Sequence, residues 1–289
     1  MKIAFYAPMK HPDSNVPSGD REMARNLIRA LQQNHTVSVA SRFCSRDGAG
    51  NPRRQQRLAE LGAKCAARLV RRWTATGDVP DAWLTYHVYH KAPDFLGPAV
   101  TKAFDIPYFM AEASHAPKQS GGNWDIGYRA AEAAIRAADG IIGLSSLDAA
   151  CVMPLLDNPD RYHRLAPFTE TALLAQSGAN RVQHRTKLRA RHAIDADTPI
   201  LLAVGMMRDG DKLASYRVLA DAMRRVTDRL WTLVIVGDGP ARRETKAAFA
   251  VVPPDRIIYA GAVAPGDLPA LYAAADLMVW PAINEAYGM

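Results

Sequence analysis

Apolar positions along the chain alternate between short continuous runs and runs spaced three and four apart. Lys2 to Ala7 (KIAFYA) is continuous and reads as a strand, whereas REMARNLIRALQQ places Met23, Leu27, Ala30 and Leu31 at helical spacing behind a Ser18-Gly19-Asp20 turn. Thr36 to Ala40 (TVSVA) completes a strand–helix–strand unit, the building block of parallel sheets. A helix over 53–73, a strand near 82–86, IPYFMAEA at 106–113, a helix over 126–138 and IIGLS at 141–145 continue the pattern. After Pro167 it starts again: a helix over 181–192, PILLAVG (199–205), a helix near 215–228, WTLVIVGDG (231–239), a helix near 241–250, RIIYAG (256–261), a helix near 267–274 and DLMVWP (276–281). Strands written as unbroken apolar runs are buried on both faces, as in parallel sheets covered by helices. The expected fold is α/β, two doubly wound Rossmann-like domains over 1–170 and 171–289, joined near 165–175. Ligands of such sheets bind beyond the carboxyl ends of the strands, so the loops after the strands are the segments to inspect.

Composition narrows the function classes. Hydrophobic content of 48% and charged content of 22% over 289 residues fit two ordinary folded domains and exclude a disordered chain. No apolar run approaches the roughly 20 residues a bilayer span needs, and the N-terminus lacks a signal-peptide core, so a cytoplasmic location is expected. Cys44, Cys65 and Cys151 are three and far apart, which indicates neither disulfides nor a zinc site and suggests small core residues. Positive charge is concentrated: seven basic residues stand against Glu60 alone between Arg53 and Arg72, and five Lys and Arg with no acid lie between Arg181 and His192. Such segments invite phosphates or an anionic surface, and no helix-turn-helix, zinc-finger or aromatic RNA-binding signature points to nucleic acid.

Four loops carry candidate chemistry. In AVGMMRDGDKLASY, Arg208 and Lys212 stand between a strand and a helix, where unpaired N–H groups already favour a phosphate; a solvated loop is the alternative. Asp209 with Asp211, and Asp195 with Asp197, have the spacing that sugar transferases use on Mg²⁺ or Mn²⁺, but a separation of two recurs by chance and no metal is assigned. VIVGDGPARRE begins like a dinucleotide fingerprint with Gly237 and Gly239, yet Arg242 occupies the place of the third glycine, which disfavours an oxidoreductase. In PSGDREMARNL, Gly19 lets a ligand approach the backbone at a helix start. In MAEASHAPKQSGG, His115 and Lys118 follow a strand and precede a glycine pair; His115, like His87 and His90, has a structural role as its alternative.

The order of these segments resembles the retaining GT-B glycosyltransferases, in particular family 4, across essentially the whole chain. KIAFYAP and PSGDREMARNLIRAL look like the family's first strand, glycine loop and helix; VGMMRDGDK is similar to its diphosphate-binding segment; VIVGDGPARRE, YAGAV and LYAAADLMVWPAINEAYGM are similar to its later strand ends. Glu285 takes the first position of the family's Glu-x7-Glu pattern, and the second Glu falls beyond Met289, so the resemblance implies a GT-B fold with two domains facing a cleft and the second one incomplete. It further implies transfer of a sugar from a nucleotide-diphosphate donor to a glycan or lipid-linked acceptor, with retention, no required metal and no cofactor. Arg208 and Lys212 would stabilise the leaving diphosphate, Glu285 would hold donor-sugar hydroxyls, and His115 would help position the reacting sugar. Donor contacts are expected from Gly19, Gly205, Gly237, Asp238, Gly239, Val263, Tyr287, Gly288 and Met289. Where the family's first loop often has two glycines, Gly19 stands alone.

Two other readings stay open: a truncated, non-catalytic transferase fragment, and a sugar-nucleotide epimerase of the same fold. The segment PRRQQRLAELGAKCAARLVRRW, with Leu58, Leu61, Cys65 and Leu69 on one stripe, suits peripheral contact with an anionic membrane; a core-facing stripe under a solvated basic face is the alternative.

Overall fold

A computed structural model describes residues 1–16, 18–166 and 168–284. The chain divides into two compact units, Met1–Thr169 and a second beginning at Glu170. The first runs β1 (Lys2–Tyr6), α1 (Gly19–Gln32), β2 (Thr36–Val39), α2 (Pro52–Thr76), β3 (Ala82–Val88), α3 (Gly97–Phe104), β4 (Tyr108–Ala113), α4 (Asp125–Ala137), β5 (Gly140–Gly143), α5 (Ser146–Val152) and β6 (Tyr162–Arg164). The second runs α6 (Ala172–Ala179), α7 (Arg181–His192), β7 (Ile200–Val204), α8 (Asp211–Arg224), β8 (Thr232–Val236), α9 (Arg242–Ala248), β9 (Ile257–Gly261), α10 (Leu268–Ala274) and β10 (Leu277–Met278).

The named strands form two parallel sheets, in the orders β2-β1-β3-β4-β5-β6 and β10-β7-β8-β9. Their central strands are buried as their apolar runs predict: every residue of β8 is inaccessible or nearly so. In the first unit a buried polar network ties the sheet to α3. Asp94 accepts from Thr85 Oγ1 (2.5 Å), Tyr108 Oη (2.9 Å) and the backbone N–H groups of Leu96 and Gly97 (2.8 Å each). Burial pushes its carboxyl above the usual range against the pull of these four donors.

In the second unit the pleat separates two cores. Ala203, Leu233 and Ile235 meet Tyr216, Leu219 and Met223 of α8, while Ile200, Leu202, Val234 and Val236 meet Leu188 of α7 and Ala274 of α10. Three expectations are corrected. The buried stripe of α2 is Gln55, Gly62, Ala66, Leu69 and Trp73, and Leu61 is exposed among the arginines, because Gly62 lets the helix lie directly on Phe95. The final strand is only Leu277–Met278, with both side chains exposed rather than buried. Cys44 is exposed and its thiol contacts the Met9 carbonyl, so it is not a core residue.

Candidate functional site

In the second unit the strand ends are laced together by backbone contacts. Gly205 N–H donates to Val236 O (3.0 Å), Met207 N–H to Asp238 O (3.0 Å), Gly237 N–H to Gly261 O (2.8 Å) and Ala241 N–H to Met207 O (2.9 Å). The glycines are demanded by this closeness. A Cβ on Gly237 (φ 141°) would lie 1.8 Å from Gly205 O, and one on Gly239 (φ 153°) would lie 2.2 Å from Met207 O. Gly205 is fixed from the other side by the buried Tyr216, whose hydroxyl donates to its carbonyl at 2.7 Å, and by Trp280, whose ring would sit 2.9 Å from an added Cβ. Burial alone raises the Tyr216 phenol far above its ordinary range, so it stays a donor.

This lacing presents Arg208 and the first turn of α8 outward. Arg208 is exposed in the loop, and Leu213 N–H closes back on its carbonyl. Gly210, at φ 78°, turns the chain into the helix. Lys212 lies within the first turn, because α8 begins at Asp211 and not near 215 as the spacing suggested, and its ammonium stands 5.1 Å above the Trp280 ring. The segment after β10 folds onto the same turn: Ile283 N–H donates to Ser215 Oγ and Asn284 Nδ2 to Asp211 Oδ1, each at 3.0 Å. Glu285, Tyr287, Gly288 and Met289 lie outside the described residues. Among those described, no group of three or more His, Cys, Asp or Glu side chains is placed to hold a metal.

The other predicted positions divide. Asp238 closes its own turn, accepting from Gly239 N–H and pairing with Arg242 at 2.8 Å, so the residue that displaces the fingerprint's third glycine has a local partner. Val263, just past β9, packs against the α7–α10 core on the opposite sheet face from α8. In the first unit Gly19 opens α1 behind the Ser18 cap, and an added Cβ there would meet nothing within 4 Å, so the fold itself does not require glycine. His115 is turned inward: its side chain is 7% exposed, stacked on Tyr128 at 5.1 Å, with Nε2 3.4 Å from Glu132.

Sequence reading missed a cluster at the strand ends of the first unit. His87 Nδ1 lies 3.0 Å from Asp20 Oδ1 and 3.7 Å from Glu112 Oε1. His87 and Glu112 are the penultimate residues of β3 and β4, with φ of 62° and 60°, values that side-chain-bearing residues seldom adopt. Burial opposes the charge on His87, but the Asp20 hydrogen bond and the charges of Glu112, Asp20 and Asp148 outweigh it and raise its pKa. Burial likewise opposes Asp20, whose carboxyl is nevertheless held below its usual range by His87 and Lys10; burial lifts Glu112 above its own. No spacing motif announces this cluster, since Asp20 and His87 are 67 positions apart.

Two α/β units, each built on a parallel sheet, make up the GT-B fold shared by the solved structures that this chain resembles. An α,α-trehalose-phosphate synthase (UDP-forming) from Burkholderia xenovorans is similar over 96% of this chain and 78% of its own, with a TM-score of 0.64 at 11% identity. The UDP-GlcNAc 2-epimerase from Methanocaldococcus jannaschii is similar over 96% and 78%, with a TM-score of 0.51 at 11% identity. Residues 198–289, within the second unit, match the family described as Glycosyl transferases group 1. A 2-deoxystreptamine glucosyltransferase from Streptomyces kanamyceticus is 27% identical over 157 residues, 54% of this chain and 40% of that protein. The chain therefore matches less than half the length of this curated relative.

Proposed function

We propose that the chain is a glycosyltransferase that moves a sugar from a nucleotide-diphosphate donor to an acceptor hydroxyl, with retention and without a required metal. The observation that carries this is the first turn of α8. There Arg208, Lys212 and the helix N-terminus stand together within the residues that match the group 1 family. Charge developing on the departing diphosphate would be met there by a guanidinium, an ammonium and backbone N–H groups, work that a divalent ion performs in other transferases. Glu285, Tyr287, Gly288 and Met289 would complete the donor-sugar contacts, and Gly19 would admit the ligand to the backbone at the start of α1. His115 would act on position indirectly, through the loop it anchors against α4.

Titration with UDP and GDP, followed by a transfer assay against acceptor sugars, tests this reading. Binding that is unchanged when both Arg208 and Lys212 become Gln would sink it. Nucleotide binding with no transfer would identify the non-catalytic fragment; an epimerised nucleotide sugar with no acceptor product would identify the epimerase, the reading favoured by the second of the two fold neighbours. For the acceptor side, the outward stripe of Arg53, Arg57, Lys64, Arg68 and Arg71 on α2, with the exposed Leu61, favours peripheral contact with an anionic cytoplasmic membrane face. Among the described residues no helix is long and apolar enough to cross a membrane. Co-sedimentation with phosphatidylglycerol vesicles but not phosphatidylcholine vesicles is the expected result.

A further inference from the structure

The five cations of α7 do two different jobs. Arg181 pairs with Asp276 at 2.9 Å and donates to the carbonyls of Ala273 and Ala275; Arg185 pairs with Asp276 at 2.8 Å and donates to Ala274 O. Arg189 donates to the carbonyls of Asp195 and Thr198. These three fasten the helix to α10 and to the approach of β7. Lys187 and Arg191 have no carboxylate partner among the described residues, and neither do His184 and His192 beside them.

All four line one cavity of about 390 Å³, of the size that holds a small organic ligand. Its other wall is apolar, formed by Ala260, Val263 and Leu271, and Asp267 is the one acid in its lining. The helix dipole accounts for Arg191 and His192, which occupy the last turn, as cations at helix ends commonly do. It does not account for His184 and Lys187, which lie earlier on the same face and open on the same space. The cavity opens on the α7–α10 face of the sheet, although its β9 wall flanks Gly261, whose carbonyl accepts from Gly237 N–H, and includes Val263, one of the expected donor contacts. Leu188 of α7 packs under Ile200, Leu202, Val234 and Val236, whereas Arg208 and Lys212 lead into α8, which covers the opposite face through Ala203, Leu233 and Ile235.

We propose that this cavity is a second ligand site, taking a phosphomonoester that carries a compact apolar group. Lys187 and Arg191 together match the charge of about −2 that such a phosphate bears near neutral pH, and the two imidazoles add hydrogen-bond donors. The alanine, valine and leucine wall takes the apolar part. Lys187 and Arg191 are an i,i+4 like-charge pair on one helix face, a mild repulsion that a bound anion would relieve, with Asp267 the one acid beside them.

Phenyl phosphate is the probe, titrated calorimetrically into the whole chain. Lys187→Gln with Arg191→Gln should raise its Kd at least about tenfold while leaving the unfolding midpoint unchanged, since both side chains are exposed. Ala262→Phe, which fills the cavity mouth from an exposed loop position, should also abolish binding. Inorganic phosphate and phenol should each bind at least about tenfold more weakly than phenyl phosphate, and saturating UDP should not displace it. The proposal is overturned if phenyl phosphate does not bind, if inorganic phosphate binds equally well, or if the Lys187/Arg191 variant binds as the parent does. Displacement by UDP, or loss of binding in an Arg208→Gln, Lys212→Gln protein, would place the anion in the donor loop instead and leave the transferase reading standing.

Discussion

Replacing Gly237 by Ala tests whether the strand-end lacing of the second unit is as tight as its geometry implies. The new Cβ would stand 1.8 Å from Gly205 O and must retreat to ordinary contact at 3.4 Å or beyond. Neither side can yield cheaply. Gly205 O holds the Tyr216 hydroxyl at 2.7 Å, and Gly237 N–H holds Gly261 O at 2.8 Å. Forcing alanine into φ 141° adds about 1–3 kcal/mol of backbone strain. Separating a fully buried tyrosine hydroxyl from its acceptor adds about 1–3 kcal/mol more. A total of about 2–6 kcal/mol corresponds to a fall of roughly 6 °C or more in the unfolding temperature of a unit this size. Differential scanning calorimetry should show the loss in the transition of the second unit. Gly19→Ala is the control: its Cβ meets nothing within 4 Å, so its stability change should stay within about 0.5 kcal/mol. A Gly237→Ala protein that melts with the parent, or a Gly19→Ala protein that loses as much, would refute the reasoning.

Further outcomes follow from other parts of the molecule. Asp94→Ala strips the acceptor from Thr85, Tyr108 and two backbone N–H groups in the core and should lower stability by about 3 kcal/mol or more, read by urea denaturation. Arg208→Gln should weaken UDP binding about tenfold or more with the melting temperature unchanged, because the guanidinium is exposed. His87 has a raised folded pKa, so the stability it draws from Asp20 and Glu112 is fully present below its unfolded value near 6.5 and is lost as pH rises through the folded one. The stability difference between parent and His87→Gln should therefore shrink as pH rises above about 6.5; a constant difference would contradict the assigned contacts.

The sheets were legible because their strands are buried on both faces and so appear as unbroken apolar runs, LVIV of β8 above all. Elements without that signature were not. β6, Tyr162–Arg164, has no apolar run and is a strand by virtue of pairing with β5; α3 is organised by Asp94, whose role depends on a tyrosine from the neighbouring strand. Arg208 and Lys212 could be named from sequence since strand, loop and helix are consecutive there. The Asp20–His87–Glu112 cluster could not, because it depends on β3 lying between β1 and β4 and on two strained backbone positions. The basic block of α7 was visible as charge, but only its packing separates the arginines that fasten the helix from the cations that line the cavity.

The mutual walls of Gly205, Met207, Gly237, Gly239 and Trp280 bear on how such a molecule can be recombined. Each of these positions sets the space allowed to another, though they span two strand ends and the segment after β10. A chimaera crossing between 170 and 199 would move the whole set intact, whereas a crossover between Gly205 and Trp280 would join loops shaped for different neighbours. These strand ends are thus one heritable block, and exchange of segments between relatives should succeed only when the block travels undivided.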